Sequence, residues 1–142
     1  LIGGEESGGF GLAGHLRNKD GVLLALAVAA AHSEESLDAR LDRIRDEYGD
    51  IVQDRRSVEC PDDRKAAVLN ELEADLPETV AGTEIERIGR ADGFKLLLAD
   101  GSWLLVRQSG TEPKLRVYAE AESRERIDEL LSAGEALLEP LV

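Results

Sequence analysis

The sequence is 142 residues long, room for one ordinary domain or for a small domain joined to part of another. Thirty acidic against seventeen basic residues give a net charge of −13, which repels nucleic-acid phosphates and anionic membrane surfaces and argues against both as partners. The longest apolar run, residues 22–31, is about half of what spans a bilayer, and the single cysteine, Cys60, precludes an internal disulfide and fits a reducing cytoplasm.

In chain order, residues 1–11 are rich in glycine and cannot easily offset the entropy of their own ordering, so a flexible linker is one reading of them. Asp20 is placed to cap a helix over 21–32 that is apolar nearly all round, the mark of a helix buried between other elements, whose covering layers can lie outside this sequence. Ser36 is placed to cap a second helix in which Leu37, Leu41, Ile44 and Tyr48 recur on one side and Gly49 ends the run. Residues 50–57 alternate only weakly and read as a strand or linker leading into a second unit.

That second unit has a different pattern. Pro61 opens a helix carrying Val68, Leu69, Leu72 and Leu76 on one face, and Pro77 closes it. Four strands are predicted at 83–90, 93–99, 102–108 and 114–120, with hairpin turns at Ala91-Asp92-Gly93 and Asp100-Gly101. Ser123 starts a last helix with Ile127, Leu130, Leu131, Leu137 and Leu138 on one stripe. The predicted fold class is therefore α+β, a four-stranded antiparallel sheet covered by two helices, with Phe94 and Trp103 as core anchors and the tail of an α/β domain in front.

Between the last two predicted strands lies Arg107-Gln108-Ser109-Gly110-Thr111-Glu112-Pro113. A guanidinium matches a phosphate bidentately, two hydroxyls can donate to its oxygens, and a glycine lets backbone N–H groups come close. Arg116, on the next strand, can face the same anion or pair with a carboxylate. The alternative reading of the loop is an ordinary hairpin connection.

Taken with the opening Gly4-Glu5-Glu6-Ser7-Gly8 about a hundred residues earlier, this loop makes the chain resemble the alpha-D-phosphohexomutases, in which a Gly-Glu-x-Ser-Gly loop of the third domain recognises the sugar and an Arg-x-Ser-Gly-Thr-Glu-Pro loop of the fourth binds phosphate. The resemblance covers essentially the whole chain. It implies that 1–49 is the C-terminal part of domain three, 50–57 a linker, and 58–142 domain four with a fold similar to the TATA-binding protein. It implies sugar contacts from Glu5 and Ser7 and phosphate contacts from Arg107, Ser109, Gly110, Thr111 and Arg116. Lys19 matches a family lysine close to the reacting phosphate, although it can also be merely the neighbour of a helix cap. Some branches have histidine where this chain has Gly9, which leaves Lys19 and His15 as possible acid/base neighbours.

The family's active serine loop and its magnesium-binding Asp-x-Asp-x-Asp loop do not occur in the sequence. The resemblance therefore implies a recognition fragment of a phosphoglucomutase or phosphomannomutase. It would bind phosphosugar, lack turnover alone, depend on the N-terminal domains of the same protein, and belong to a cytoplasmic enzyme that uses magnesium, with hexose 1,6-bisphosphate as activator. Phosphoglucosamine mutase is the alternative within the family, although its usual Glu-Gln-Ser-Gly-His differs from this chain at Glu6 and Gly9. A free-standing, non-catalytic phosphosugar-binding module is the alternative outside it.

Overall fold

A computed structural model describes residues 2–4, 8–15 and 18–142, and the chain divides into two compact units, 1–48 and 49–142. In the first, strands β1 (Ile2–Gly4) and β2 (Phe10–Leu12) pair antiparallel, with Gly4 opposite Phe10. Helix α1 (Gly21–Glu34) begins at Asp20, whose carboxylate accepts from the amides of Val22 and Leu23. Helix α2 (Leu37–Tyr48) begins where the Ser36 hydroxyl accepts from the Ala39 amide at 3.2 Å, and Gly49 follows it with φ +85°. Within this chain the first helix is not buried: neither helix contributes a buried residue, and Val22 and Leu26 are 74% and 64% exposed.

The second unit is a six-stranded antiparallel sheet with two helices on one face. Its strands are β3 (Val52–Glu59), β4 (Thr79–Val80), β5 (Thr83–Gly89), β6 (Phe94–Leu98), β7 (Trp103–Gln108) and β8 (Lys114–Ala121), in the order β3-β8-β7-β6-β5-β4. Helices α3 (Lys65–Ala74) and α4 (Arg124–Leu138) supply the covering layer. The predicted four strands correspond to β5 to β8, so the expectation of a four-stranded sheet is corrected by two strands.

Both omissions have a physical cause. The segment read as a strand or linker, 50–57, falls largely in β3, so the strand reading holds; its alternation is obscured because charged residues occupy two of its four helix-side positions. There Asp54 pairs with Arg124 at 2.7 Å, and Arg56 reaches Glu135 at 2.8 Å on α4. Strand β4 is two residues long and is joined to β5 by Ala81-Gly82, both with positive φ as a tight hairpin requires. Alanine rarely adopts that conformation, so the sequence gives no turn signal there.

Along β8, Leu115, Val117, Ala119 and Ala121 are buried against the helices while Lys114, Arg116, Tyr118 and Glu120 alternate onto the other face. The core joins them to Leu96, Leu98, Leu104 and Val106 from the sheet, to Val68 and Leu72 from α3, and to Ile127, Leu130, Leu131 and Leu138 from α4. Fully burying each large aliphatic side chain contributes roughly 1.5–3 kcal/mol. At Gly134 a Cβ would lie 2.5 Å from Val117 Cγ1, so α4 can approach β8 this closely only with glycine there. Phe94 is buried as expected. Trp103 is not a core anchor: it stands on the face without helices, where its indole N–H donates to Glu120 at 2.9 Å and Lys95 Nζ lies 3.8 Å from its ring centre. Cys60 is fully buried, and burial pushes its thiol pKa up. Among the described residues no helix is long and apolar enough to cross a membrane.

Candidate functional site

The loop between β7 and β8 is braced from within. The Ser109 amide donates to the Lys114 carbonyl at 2.9 Å, closing the hairpin, and the Ser109 hydroxyl accepts from the amides of Thr111 and Glu112 at 3.5 and 3.3 Å. Ser109 is buried, whereas Gly110 and Thr111 at the tip are exposed. A Cβ on Gly110 would meet nothing within 4 Å, so no packing inside the chain requires glycine there.

On the face without helices, Arg107 of β7 stands directly opposite Arg116 of β8 in the register. Two guanidiniums in adjacent positions repel, and each is held by acceptors. Arg107 donates to Asp92 at 3.1 Å and to the Tyr118 hydroxyl at 3.0 Å, with its guanidinium carbon 5.2 Å from the Tyr118 ring centre. Arg116 donates to Glu112 at 2.6 Å, and its Nε is buried without a partner. Lys114 lies 3.4 Å from Glu112 and 3.5 Å from Glu59.

The electrostatics follow from this crowding. Arg116, and then Lys114, hold the Glu112 carboxyl below its ordinary range. Hydrogen bonding to Tyr118 raises Arg107 against the opposing effect of burial. Burial works to raise the Tyr118 phenol, but the guanidinium groups of Arg107, Arg116 and Arg55 outweigh it and lower its pKa. The result is a cation-rich sheet face at the mouth of an exposed Gly-Thr tip, on a chain that is otherwise strongly acidic. Such an arrangement can bind a compact anion by charge-assisted hydrogen bonds.

The structure thus brings Arg107, Ser109, Gly110, Thr111 and Arg116 together. Glu5 and Ser7 lie outside the described residues. In the first unit His15 Nε2 is 2.9 Å from the Asp20 carboxylate, the same group that caps α1. The Leu23 amide first, and His15 after it, lower the Asp20 pKa. Lys19 runs alongside Gly9, where a Cβ would lie 2.6 Å from Lys19 Cδ, so a larger residue at Gly9 would have to displace the lysine side chain.

Three residues of the second-unit site were not assigned to it from the sequence. Tyr118 could have been found from the alternation of β8, which puts it two residues from Arg116 on the same face. Asp92 was read only as a turn residue. Lys65, 4% exposed, donates to the carbonyls of Ser109, at 2.9 Å, and Glu112. It had no signal, because a lysine in the first turn of a helix ordinarily points to solvent.

Residues 57–133 match the phosphoglucomutase/phosphomannomutase C-terminal domain, and residues 1–48 match the alpha/beta/alpha domain III of the same proteins. Similar curated proteins include a phosphopentomutase of Thermococcus kodakarensis, 41% identical over 62% of this chain and 19% of its own length. A probable phosphoglucosamine mutase of Methanothermobacter thermautotrophicus is 35% identical over 88% of this chain and 27% of its own. A phosphoglucomutase/phosphomannomutase of Thermococcus kodakarensis is 33% identical over 97% of this chain and 28% of its own. The chain therefore spans less than a third of the length of these relatives. A crystal structure of a phosphoglucomutase/phosphomannomutase family protein from Burkholderia thailandensis superposes with a TM-score of 0.66 at 17% identity, over 99% of this chain and 28% of that one, a likeness of fold.

Proposed function

The chain belongs to the phosphoglucomutase/phosphomannomutase family, and from that premise we propose that it is the substrate-recognition part of a phosphohexomutase interconverting hexose 1-phosphates and hexose 6-phosphates through a bisphosphorylated intermediate. The observation that carries this reading is the register pair of Arg107 and Arg116 beside the exposed Gly110-Thr111 tip. On it, Arg107, Ser109, Gly110 and Thr111 bind the phosphate that is not being transferred. Arg116 adds positive charge and anchors Glu112. Glu5 and Ser7 read a pair of sugar hydroxyls, since a carboxylate accepts from two at once and a serine donates or accepts. Binding energy from groups remote from the reacting phosphate then supports the transfer step.

Lys19 is the preferred neighbour of the reacting phosphate, because its side chain lies against Gly9, where other branches carry histidine, while His15 is engaged with the cap of α1. The phosphoserine and magnesium belong, on this reading, to parts of the enzyme that the chain does not span. Magnesium would supply charge neutralisation at the phosphoryl group, hexose 1,6-bisphosphate would serve as activator, and the chain by itself would have no turnover. Among the described residues no group of three or more His, Cys, Asp or Glu side chains could hold a metal ion.

A second reading, phosphoglucosamine mutase, is favoured by the Methanothermobacter relative that bears that name and disfavoured by Glu6 and Gly9. Assays of the full-length protein on glucose, mannose, glucosamine and ribose 1-phosphates decide between them; we expect glucose or mannose 1-phosphate to give the highest kcat/KM. The cradle itself is tested by Arg107→Ala, which should weaken phosphosugar binding by about 1.5–3 kcal/mol, the scale of a hydrogen bond to a charged group. Arg107→Lys should recover only part of this, since an ammonium lacks the two-pronged geometry. Unchanged binding of both 1- and 6-phosphosugars by the alanine variant would return the loop to an ordinary hairpin.

A further inference from the structure

Burying an ammonium is costly unless every N–H finds an acceptor. Lys65 is 4% exposed and has three acceptors for its three donors: the carbonyl of Ser109 at 2.9 Å, the carbonyl of Glu112, and the Asp62 carboxylate at 2.5 Å. Ser109 and Glu112 bracket the Gly110-Thr111 tip. Their carbonyl oxygens, which would repel an anion, are thus turned inward toward a fixed positive charge. The same helix entrance is tied to the far side of the loop, where the Cys60 amide donates to the Pro113 carbonyl at 2.9 Å.

We propose that Lys65 is a positioning residue of the phosphate loop: it holds the bracketing carbonyls away from the ligand and places a buried positive charge beneath the tip, raising anion affinity without touching the anion. The inference rests on the reading of this loop as a phosphate cradle. Asp62 opposes the effect, since its carboxylate, 77% exposed on its side chain, partly neutralises the ammonium. The two residues therefore predict opposite changes, which a purely structural role for the pair does not.

The test follows the amide resonances of Gly110 and Thr111 in the 142-residue chain during titration with inorganic phosphate at constant ionic strength, with thermal unfolding recorded for each variant. Lys65→Met, close in length and uncharged, should raise the phosphate dissociation constant about tenfold, the scale of losing one nearby opposite charge. Asp62→Asn, at an exposed site, should lower it about twofold. Arg107→Ala is the reference for the cradle. Arg107-dependent binding in the wild-type chain, with both other variants binding like wild type, overturns the role of Lys65 and leaves the cradle standing. Phosphate binding that does not depend on Arg107, or no binding at all, overturns the cradle and this inference with it. Should Lys65→Met fail to fold, Asp62→Asn decides: tighter binding supports the proposal, and unchanged binding rejects it.

Discussion

Helices α1 and α4 are almost equally long, 14 and 15 residues, and both begin at a side-chain cap. Yet α1, apolar on nearly every side, contributes no buried residue, while α4, in which charged residues are interspersed with apolar ones, buries Ile127, Leu130, Leu131, Gly134 and Leu138. The difference lies in what each helix faces. An apolar stripe gains free energy only when a complementary surface removes it from water, and the α4 stripe meets the alternating inward residues of the sheet, including β7 and β8. Hydrophobicity summed along a helix does not make a core; hydrophobicity concentrated on the side that faces a sheet does.

The largest expected consequence concerns folding. Residues 49–142 expressed alone should keep a single cooperative urea transition, whereas 1–48 alone should show none, measured by far-ultraviolet circular dichroism. A cooperative transition in 1–48 of comparable midpoint would erase the contrast. A matched pair of substitutions sharpens it: Leu104→Ala, at a fully buried position, should cost about 2–5 kcal/mol. Leu26→Ala, on the exposed side of α1, should stay within about 0.5 kcal/mol. Equal losses would mean that α1 is covered in solution.

Next in size is a backbone effect confined to the second unit. Gly93 has φ +91°, and a Cβ there would collide with the Val106 carbonyl and lie 2.8 Å from Arg107 Cβ. Gly93→Ala should cost roughly 1–3 kcal/mol, from strain and from separating the β5–β6 turn from β7. Because Asp92 is its neighbour, the same variant should loosen Arg107, and a chemical-shift change confined to residues 90–94 would contradict this.

The smallest effect is on the acid side. Burial works to raise Asp100, but the Ser102 hydroxyl and amide and the Arg126 guanidinium outweigh it, so its folded-state pKa lies below the ordinary 3.8. The unfolded chain then binds the proton more readily. The stability this group contributes is present above its ordinary pKa and is lost as pH falls through the lower folded value. Asp100→Asn should therefore flatten the decline in stability below about pH 4, read from denaturation midpoints along a pH series. An unaltered acid limb would show that the Asp100 contacts contribute nothing.

Much of this was legible without coordinates. Asp20, Ser36 and Ser123 announced three helix starts because a short polar side chain just before a helical pattern can accept from the first free amides. Asp100-Gly101 marked its hairpin because Gly101 needs a positive φ. Strands β5 to β8 and the Arg-x-Ser-Gly-Thr loop were readable from alternation and spacing. The two outer strands were less so: β3 was read only as a strand or linker, since it places Asp54 and Arg56 where apolar residues were expected, and β4 was missed, since it turns on an alanine with φ 47°. Trp103 was assigned to the wrong face of the sheet because size and apolarity say nothing about which side carries the helices.

The sequence by itself determined the family, the helix caps, the central strands and the residue types of the β7–β8 loop, all of which depend on neighbours within a few positions or on motif order. Tertiary structure alone decided which groups meet: Arg107 opposite Arg116, Tyr118 among three arginines, and a buried Lys65 gripping the loop from 44 residues away. Those pairings are set by strand register and by where α3 packs. Both arise from filling one core, and no local pattern encodes the partner that fills it.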